Sequence, residues 1–178
     1  KQIDKNLVFS IKIIKMNLNK VKEPYVLMLI GPPLSGKTTW INNNFSDKEV
    51  TIISRDQIVL DIAGTNDYNY AFKTVNQKEI DRELQSQIKD ASSNKENTIV
   101  DMTNMTSKRR SNTLSNFRDE YTKMSVIFTI VGIDEYKRRN DKRELEESKF
   151  IPEHVIKRMI SSYQKIREDE GFDKIISL

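Results

Sequence analysis

The sequence predicts an α/β fold, a mostly parallel sheet of about five strands layered between helices. Two observations predict it. Short continuous apolar runs recur along the chain, as strands covered on both faces read. Polar, helix-compatible stretches separate those runs, and strand–helix alternation of this kind builds parallel sheets.

The elements follow in order. The opening stretch, 1–23, contains Leu7-Val8-Phe9-Ser10-Ile11-Lys12-Ile13-Ile14, which is too short and too charged for the apolar segment of a signal peptide. An added strand, a helix or the tail of a preceding domain are all open readings. The chain starts at Lys1 and not Met, so a trimmed, tagged or excised chain is expected, with 1–23 an extension and 24–178 one domain. Tyr25-Val26-Leu27-Met28-Leu29-Ile30 is the first strand and ends at Gly31. Val50-Thr51-Ile52-Ile53, Thr98-Ile99-Val100 and Ser125-Val126-Ile127-Phe128-Thr129-Ile130-Val131 repeat the pattern, and Lys174-Ile175-Ile176 is a weaker fifth. Helices are expected over 37–44, about 70–92, 107–121, 134–143 and 153–167. Pro152 sits where a first-turn proline starts a helix.

Composition narrows the chemistry. With 178 residues and 37% hydrophobic content the chain can bury a core, whereas no apolar run approaches the ~18 residues of a membrane span. Cysteine is absent, which excludes disulfides, thiolate metal sites and cysteine nucleophiles together. One histidine, His154, excludes a multi-histidine metal cage. The net charge of +4 is compatible with a polyanionic partner but does not require one.

One segment is decisive. Gly31-Pro32-Pro33-Leu34-Ser35-Gly36-Lys37-Thr38-Thr39 follows an apolar strand and opens a helix, and it matches G-x-x-x-x-G-K-[ST]. Gly31 allows a sharp turn off the strand, and Gly36 allows backbone amides close to a phosphate. Those amides and the helix N-terminus favour an anion. Lys37 adds a point charge across the β- and γ-phosphates, and the Thr38 hydroxyl is a Mg²⁺ ligand. The loop refines the fold class to a P-loop NTPase-type three-layer sandwich.

GTPase signals are incomplete. Asp61-Ile62-Ala63-Gly64 has the right spacing but does not follow its strand directly, and Asn94-Lys95-Glu96-Asn97 lacks the final Asp that reads guanine. Three features suit a kinase. Ser54-Arg55-Asp56 follows the second strand at the edge where the phosphate loop opens, and a carboxylate there can take a proton from an attacking hydroxyl. Asp56 can also be the N-cap of a helix starting at Gln57. Asp101-Met102-Thr103-Asn104 ends the third strand; Asp101 can hold Mg²⁺, and Thr103 and Asn104 can bond a substrate, although such residues are also common in turns. Lys137-Arg138-Arg139-Asn140-Asp141-Lys142-Arg143 places Arg139 and Arg143 on one helix face. An Arg so placed can meet the charge of phosphoryl transfer, or the run is a solvated basic face.

These motifs occur in one order, and together with Trp40 and the ending Gly171-Phe172-Asp173-Lys174-Ile175-Ile176 they resemble the kinase domain of bacteriophage-type polynucleotide 5′-kinases. The resemblance covers roughly Tyr25 to the C-terminus. It implies ATP-dependent phosphorylation of a 5′-hydroxyl on DNA or RNA, with a nucleic-acid partner, in nucleic-acid end repair. It also implies a cytoplasmic protein, acting in the host cytoplasm if viral, and a helical lid. Lys37, Asp56 and Arg143 would be catalytic, with Asp56 the general base and Arg143 reaching the phosphoryl from the lid. Gly31, Pro32, Pro33, Leu34, Ser35, Gly36, Lys37, Thr38, Thr39 and Arg139 would bind ATP, and Thr38 and Asp101 the Mg²⁺. Arg55, Thr103 and Asn104 would line the acceptor side. One departure stands out. The family carries an Arg three positions after the base, where this chain has Val59. Either Arg55 or a member of Lys108-Arg109-Arg110 replaces it, or the acceptor is a small molecule such as a nucleoside, nucleotide sugar or antibiotic. No Asp-x-Asp-Gly-Thr phosphatase or Lys-x-Asp-Gly ligase motif is present, so repair partners would lie on another chain or on a removed segment.

Overall fold

The computed structural model describes residues 21–46 and 49–178; the three readings offered for the first residues fall largely on 1–20, outside them. Five strands form one sheet: β1 (Tyr25–Ile30), β2 (Thr51–Ser54), β3 (Thr98–Asp101), β4 (Thr122–Ile127) and β5 (Lys174–Ser177). Their order is β2-β3-β1-β4-β5 and every pairing is parallel. Central β1 is the most buried because it has a strand on each side and a helical layer on each face. Leu27 is in register with Ile99 of β3 and Met124 of β4.

Side-chain alternation splits β1 between two cores. Val26, Met28 and Ile30 join Ile58, Val59, Ile80, Leu84 and Ile88 on one face. Tyr25, Leu27 and Leu29 join Trp40, Ile41, Phe45 and Phe128 on the other. Burying each such aliphatic side chain contributes roughly 1.5–3 kcal/mol. The predicted three-layer sandwich with a parallel sheet is therefore the fold observed.

Helices fill the outer layers: α1 (Lys37–Phe45), α2 (Arg55–Ala63), α3 (Tyr68–Thr74), α4 (Gln77–Ser93), α5 (Ser107–Leu114), α6 (Ile133–Glu147) and α7 (Glu153–Ser161). The single helix expected near 70–92 is two. Asp67 caps α3 through Tyr70 N–H, and Asn76 caps α4 through Lys78 N–H, so the chain is re-nucleated between them. The helices expected over 107–121 and 153–167 stop early, at Leu114 and Ser161. Pro152 is the N-cap residue of α7 and not its first residue. Helices α6 and α7 pack on a small third core of Tyr136, Ile151 and Ile156, with Leu34 of the glycine-rich loop against it. That contact sets the α6–α7 hairpin over the loop as a lid. No helix among the described residues is long and apolar enough to cross a membrane.

Candidate active site

The loop between β1 and α1 is shaped by two glycines for different reasons. A Cβ on Gly31 would come within 2.9 Å of Phe128 Cβ, just beyond β4, and of Ser35 Oγ, so a side chain there would force both to move. Gly36 has φ +96°, a left-handed conformation that glycine adopts without steric penalty. Gly31 N–H donates to Thr103 O at 3.0 Å, which ties the loop to the end of β3.

Lys37 begins α1 and its Nζ donates to Gly31 O at 3.0 Å and Pro32 O at 2.7 Å. Burial pushes its pKa down to about 8, while Asp101 and Asp56 pull it up and Arg143 opposes them. One ammonium thus senses two carboxylates and a guanidinium that come from three different elements. Burial also raises the pKa of Asp101, against the pull of Lys37. An oxygen-seeking cation at Asp101 would relieve that penalty, and the Thr38 hydroxyl is exposed at the start of α1 on the same cleft.

The sequence-predicted residues converge. All of them except buried Gly31 and Pro32 line one cleft of about 2190 Å³. Asp56 lies in the first turn of α2, exposed to the cleft. It is not the N-cap: Ser54 holds that position, its Oγ accepting from Gln57 N–H at 3.5 Å. Arg143 projects from α6 with its guanidinium 5.3 Å from the Tyr68 ring centroid and 3.5 Å from Glu147. Arg139 differs from it. Its Nη1 donates to Leu34 O at 2.8 Å and its Nε to Glu135 at 2.7 Å, so it braces the loop. The basic run is therefore neither all site nor all surface: Arg138 and Lys142 border the cleft but are largely exposed, whereas Arg139 and Arg143 are mostly covered within it.

The residues expected on the acceptor side are more structural than the sequence suggests. Asn104, 1% exposed and at φ +47°, donates its amide to Leu29 O at 2.8 Å. Thr103 contributes its carbonyl to the Gly31 bond and remains half-buried on the cleft. Arg55 donates to Gln77 and lies 5.9 Å from the Phe72 ring. Arg110 is removed from the acceptor candidates. It is 0% exposed and makes two bonds to Glu170, of 2.6 and 2.8 Å. Val59 is also 0% exposed and faces the core, so an arginine could not simply stand there. Tyr68 is a cleft residue that the motifs do not reveal; only its place just beyond Asp67, a turn former, hints at a helix start.

A family model described as AAA domain matches residues 26–166. Among solved structures, a chain of the Pnkp1/Rnl/Hen1 RNA repair complex aligns with a TM-score of 0.65 and 20% identity, over 81% of this chain and 45% of that one. A putative kinase from Chloroflexus aurantiacus aligns at 0.61 and 14%, over 88% and 85%. A gluconokinase from Sinorhizobium meliloti aligns at 0.52 and 10%, over 88% and 83%. The chain spans less than half the length of the RNA-repair chain it matches. At these identities the likeness is one of fold, a P-loop NTPase-type α/β sandwich, and it is not specific to bacteriophage enzymes.

Proposed function

The chain belongs to the AAA-domain family, and from that premise we propose that residues 24–178 are a phosphotransferase moving the γ-phosphate of ATP to a hydroxyl of a small molecule. A nucleoside, a nucleotide sugar or an antibiotic is the class of acceptor. The observation that carries this reading is the meeting of Lys37, Asp56, Asp101 and Arg143 in one electrostatic group on one cleft. Such a group has a cation for the donor phosphates, a carboxylate for the acceptor proton and a guanidinium for the phosphoryl in flight.

The chemistry follows from those positions. The loop amides and Lys37 hold the β- and γ-phosphates. Thr38 and Asp101 are hard oxygen donors and fit Mg²⁺, which takes few protein ligands beside nucleotide phosphates. When bound, Mg²⁺ supplies charge neutralisation on the phosphate oxygens. Asp56 accepts the hydroxyl proton as the acceptor oxygen forms its bond to the γ-phosphorus. The bond from that phosphorus to the β–γ bridging oxygen breaks, and ADP leaves with the electron pair. Arg143 balances the charge on the transferring oxygens.

A small acceptor is favoured by what is missing and by what closes the cleft. Val59 is core, Arg110 is spent on Glu170 and Arg109 pairs with Asp81 at 3.7 Å. Asn69 of α3 donates to Ser148 O of the lid at 3.0 Å, so α3 and the lid meet over the cleft. The gluconokinase from Sinorhizobium meliloti, whose name gives a small acceptor, matches over most of both chains, which supports the same reading. A second reading is a polynucleotide 5′-hydroxyl kinase with a nucleic-acid partner and repair activities on other segments. It is supported by Arg55 and Lys73 on the cleft and by the likeness to the RNA-repair chain.

An assay with labelled ATP decides between them. Purified protein is offered sugars, nucleosides, nucleotide sugars and aminoglycosides beside 5′-hydroxyl DNA and RNA oligonucleotides. Label in a small acceptor is the expected result. Label in oligonucleotides alone replaces it with the second reading, and label in neither overturns both.

A further inference from the structure

Tyr68 opens α3 and is 8% exposed, yet its two ends touch opposite walls of the cleft. Its hydroxyl donates to Asp56 Oδ2 of α2 at 3.5 Å. Its ring stands under the Arg143 guanidinium of α6 at 5.3 Å and near the Lys149 ammonium at 5.9 Å. Phe72 stacks on it one turn along, with centroids 4.3 Å apart. Asp67 caps the helix, and Asn69 clasps the lid from both sides of its amide, donating to Ser148 O and accepting from Phe150 N–H at 3.5 Å. Tyr68 is therefore held by its own helix while it touches two groups on other elements.

We infer that Tyr68 is a positioning residue that couples Asp56 to Arg143 across the cleft. The inference rests on the kinase reading of the same site. Neither partner is otherwise well fixed. Asp56 is an exposed carboxylate in the first turn of a helix. Among the described residues, the other charged partner of Arg143 is Glu147 on the same helix, at 3.5 Å. A long side chain anchored only along its own helix samples several rotamers, each of which moves the guanidinium by ångströms. An aromatic face beneath the guanidinium selects among them. A hydroxyl bonded to one carboxylate oxygen leaves the other directed into the cleft, where a proton can be taken in the right geometry. Burial and the nearby Asp56 charge push the phenol up, so it remains a neutral donor in the neutral range. A ring with only a packing role would need neither the hydroxyl contact nor the cations on its face.

The test compares the wild type with Tyr68→Phe, Tyr68→Leu, Arg143→Met and the Tyr68→Leu/Arg143→Met double variant. Tyr68→Phe keeps the ring and its stacking and removes only the hydroxyl. Its kcat should fall about five- to tenfold with KM for ATP within about twofold, as expected for lost orientation and not lost binding. Tyr68→Leu should fall further, and it should cost less in the Arg143→Met background than in the wild type, because part of its effect runs through that arginine. Melting curves without substrate supply a second measurement, in which the double variant should lose less than the sum of the two single losses. A Tyr68→Phe enzyme with wild-type kcat, or melting losses that add, overturns the inference. A wild type that transfers phosphate to no acceptor overturns the positioning role together with the kinase reading. That outcome is distinct from an active wild type matched by its Tyr68 variants, which overturns Tyr68 alone.

Discussion

Lys37 is a cation held where water barely reaches it, at 9% exposure, and that placement makes its charge conditional. With its pKa lowered to about 8 by burial, the group is mostly charged at neutral pH and mostly neutral a unit or more above 8. The charged form is the one that attracts phosphate, so ATP affinity should decline as pH rises through about 8. Titration calorimetry at pH 7 and 9.5 reads this, and Lys37→Arg, which keeps its charge at both, should not show the decline. Lys37→Ala should abolish transfer, since losing a preorganised charge costs roughly 3 kcal/mol or more of barrier. It should remain folded with a melting temperature lowered by a few degrees, because the buried carbonyls of Gly31 and Pro32 lose their donor. Near-normal turnover in folded Lys37→Ala would remove the kinase reading. At Asp56 and Ser54 the same logic separates two roles two residues apart. Ser54→Ala should lower stability by about 1 kcal/mol as a lost cap. Asp56→Asn should melt like the wild type and lose roughly 10²-fold in transfer rate as a lost proton acceptor. An active Asp56→Asn enzyme would sink the proposed mechanism.

At the scale of elements, the lid is held to the loop by Arg139 and Leu34 and to α3 by Asn69. Arg143 is the lid residue proposed to reach the transferring phosphoryl. Arg143→Lys should be nearly as damaging to kcat as Arg143→Ala, because an ammonium cannot bridge oxygens as a planar fork does. If lysine restores most of the rate, the arginine acts as a diffuse charge and not as a clamp on the phosphoryl. Most strands were legible because a parallel strand covered on both faces is a continuous apolar run, and Tyr25–Ile30 is that run in full. The fourth, expected over 125–131, lies instead at Thr122–Ile127, because the polar Thr122 and Lys123 pair with β1. The phosphate-loop motif was legible because its glycines and lysine fall within the seven consecutive positions Gly31–Lys37. The break between α3 and α4 was not, since Val75-Asn76 interrupts a stretch whose helical periodicity runs on either side. Asn76 is a capping residue type, but within a polar stretch it looks like any other surface asparagine. Tyr68 was illegible for another reason. Its partners are 12 and 75 positions away, and no local pattern records them.

For the molecule as a whole, the long-range bond that matters most is the one between Arg110 and Glu170. The triplet Lys108-Arg109-Arg110 reads as three solvated cations, yet folding carries the third inside, against a carboxylate 60 residues along. Both side chains are essentially sealed, at 0% and 1% exposure. Arg110 also donates to Asn104 O at 3.1 Å and Met105 O at 3.2 Å, so the pair fastens the 3-10 turn Glu168–Glu170 to the loop that follows β3. The Arg110 hydrogen bonds, opposed by burial, hold the Glu170 pKa below the usual carboxylate range. A depressed carboxylate contributes stability that is present above its unfolded value of ~4.3 and is lost as pH falls through the lower folded value. Glu170→Gln removes the charge and leaves Arg110 buried without a counter-ion, which should cost about 3–5 kcal/mol at pH 7. The gap between variant and wild type should then narrow below about pH 4, because a protonated Glu170 is nearly a glutamine. Denaturant unfolding at pH 7 and at pH 3.5 measures both ends. By contrast, Glu135 and Glu153 also have lowered pKa values, through Arg138 and Lys157 respectively, but they lie on the surface, where ion pairs contribute little. Glu135→Gln should leave the acid limb of the stability curve unchanged. A gap for Glu170→Gln that stays constant from pH 7 to 3.5 would mean that the fold depends on the hydrogen bonds of that site and not on its charge.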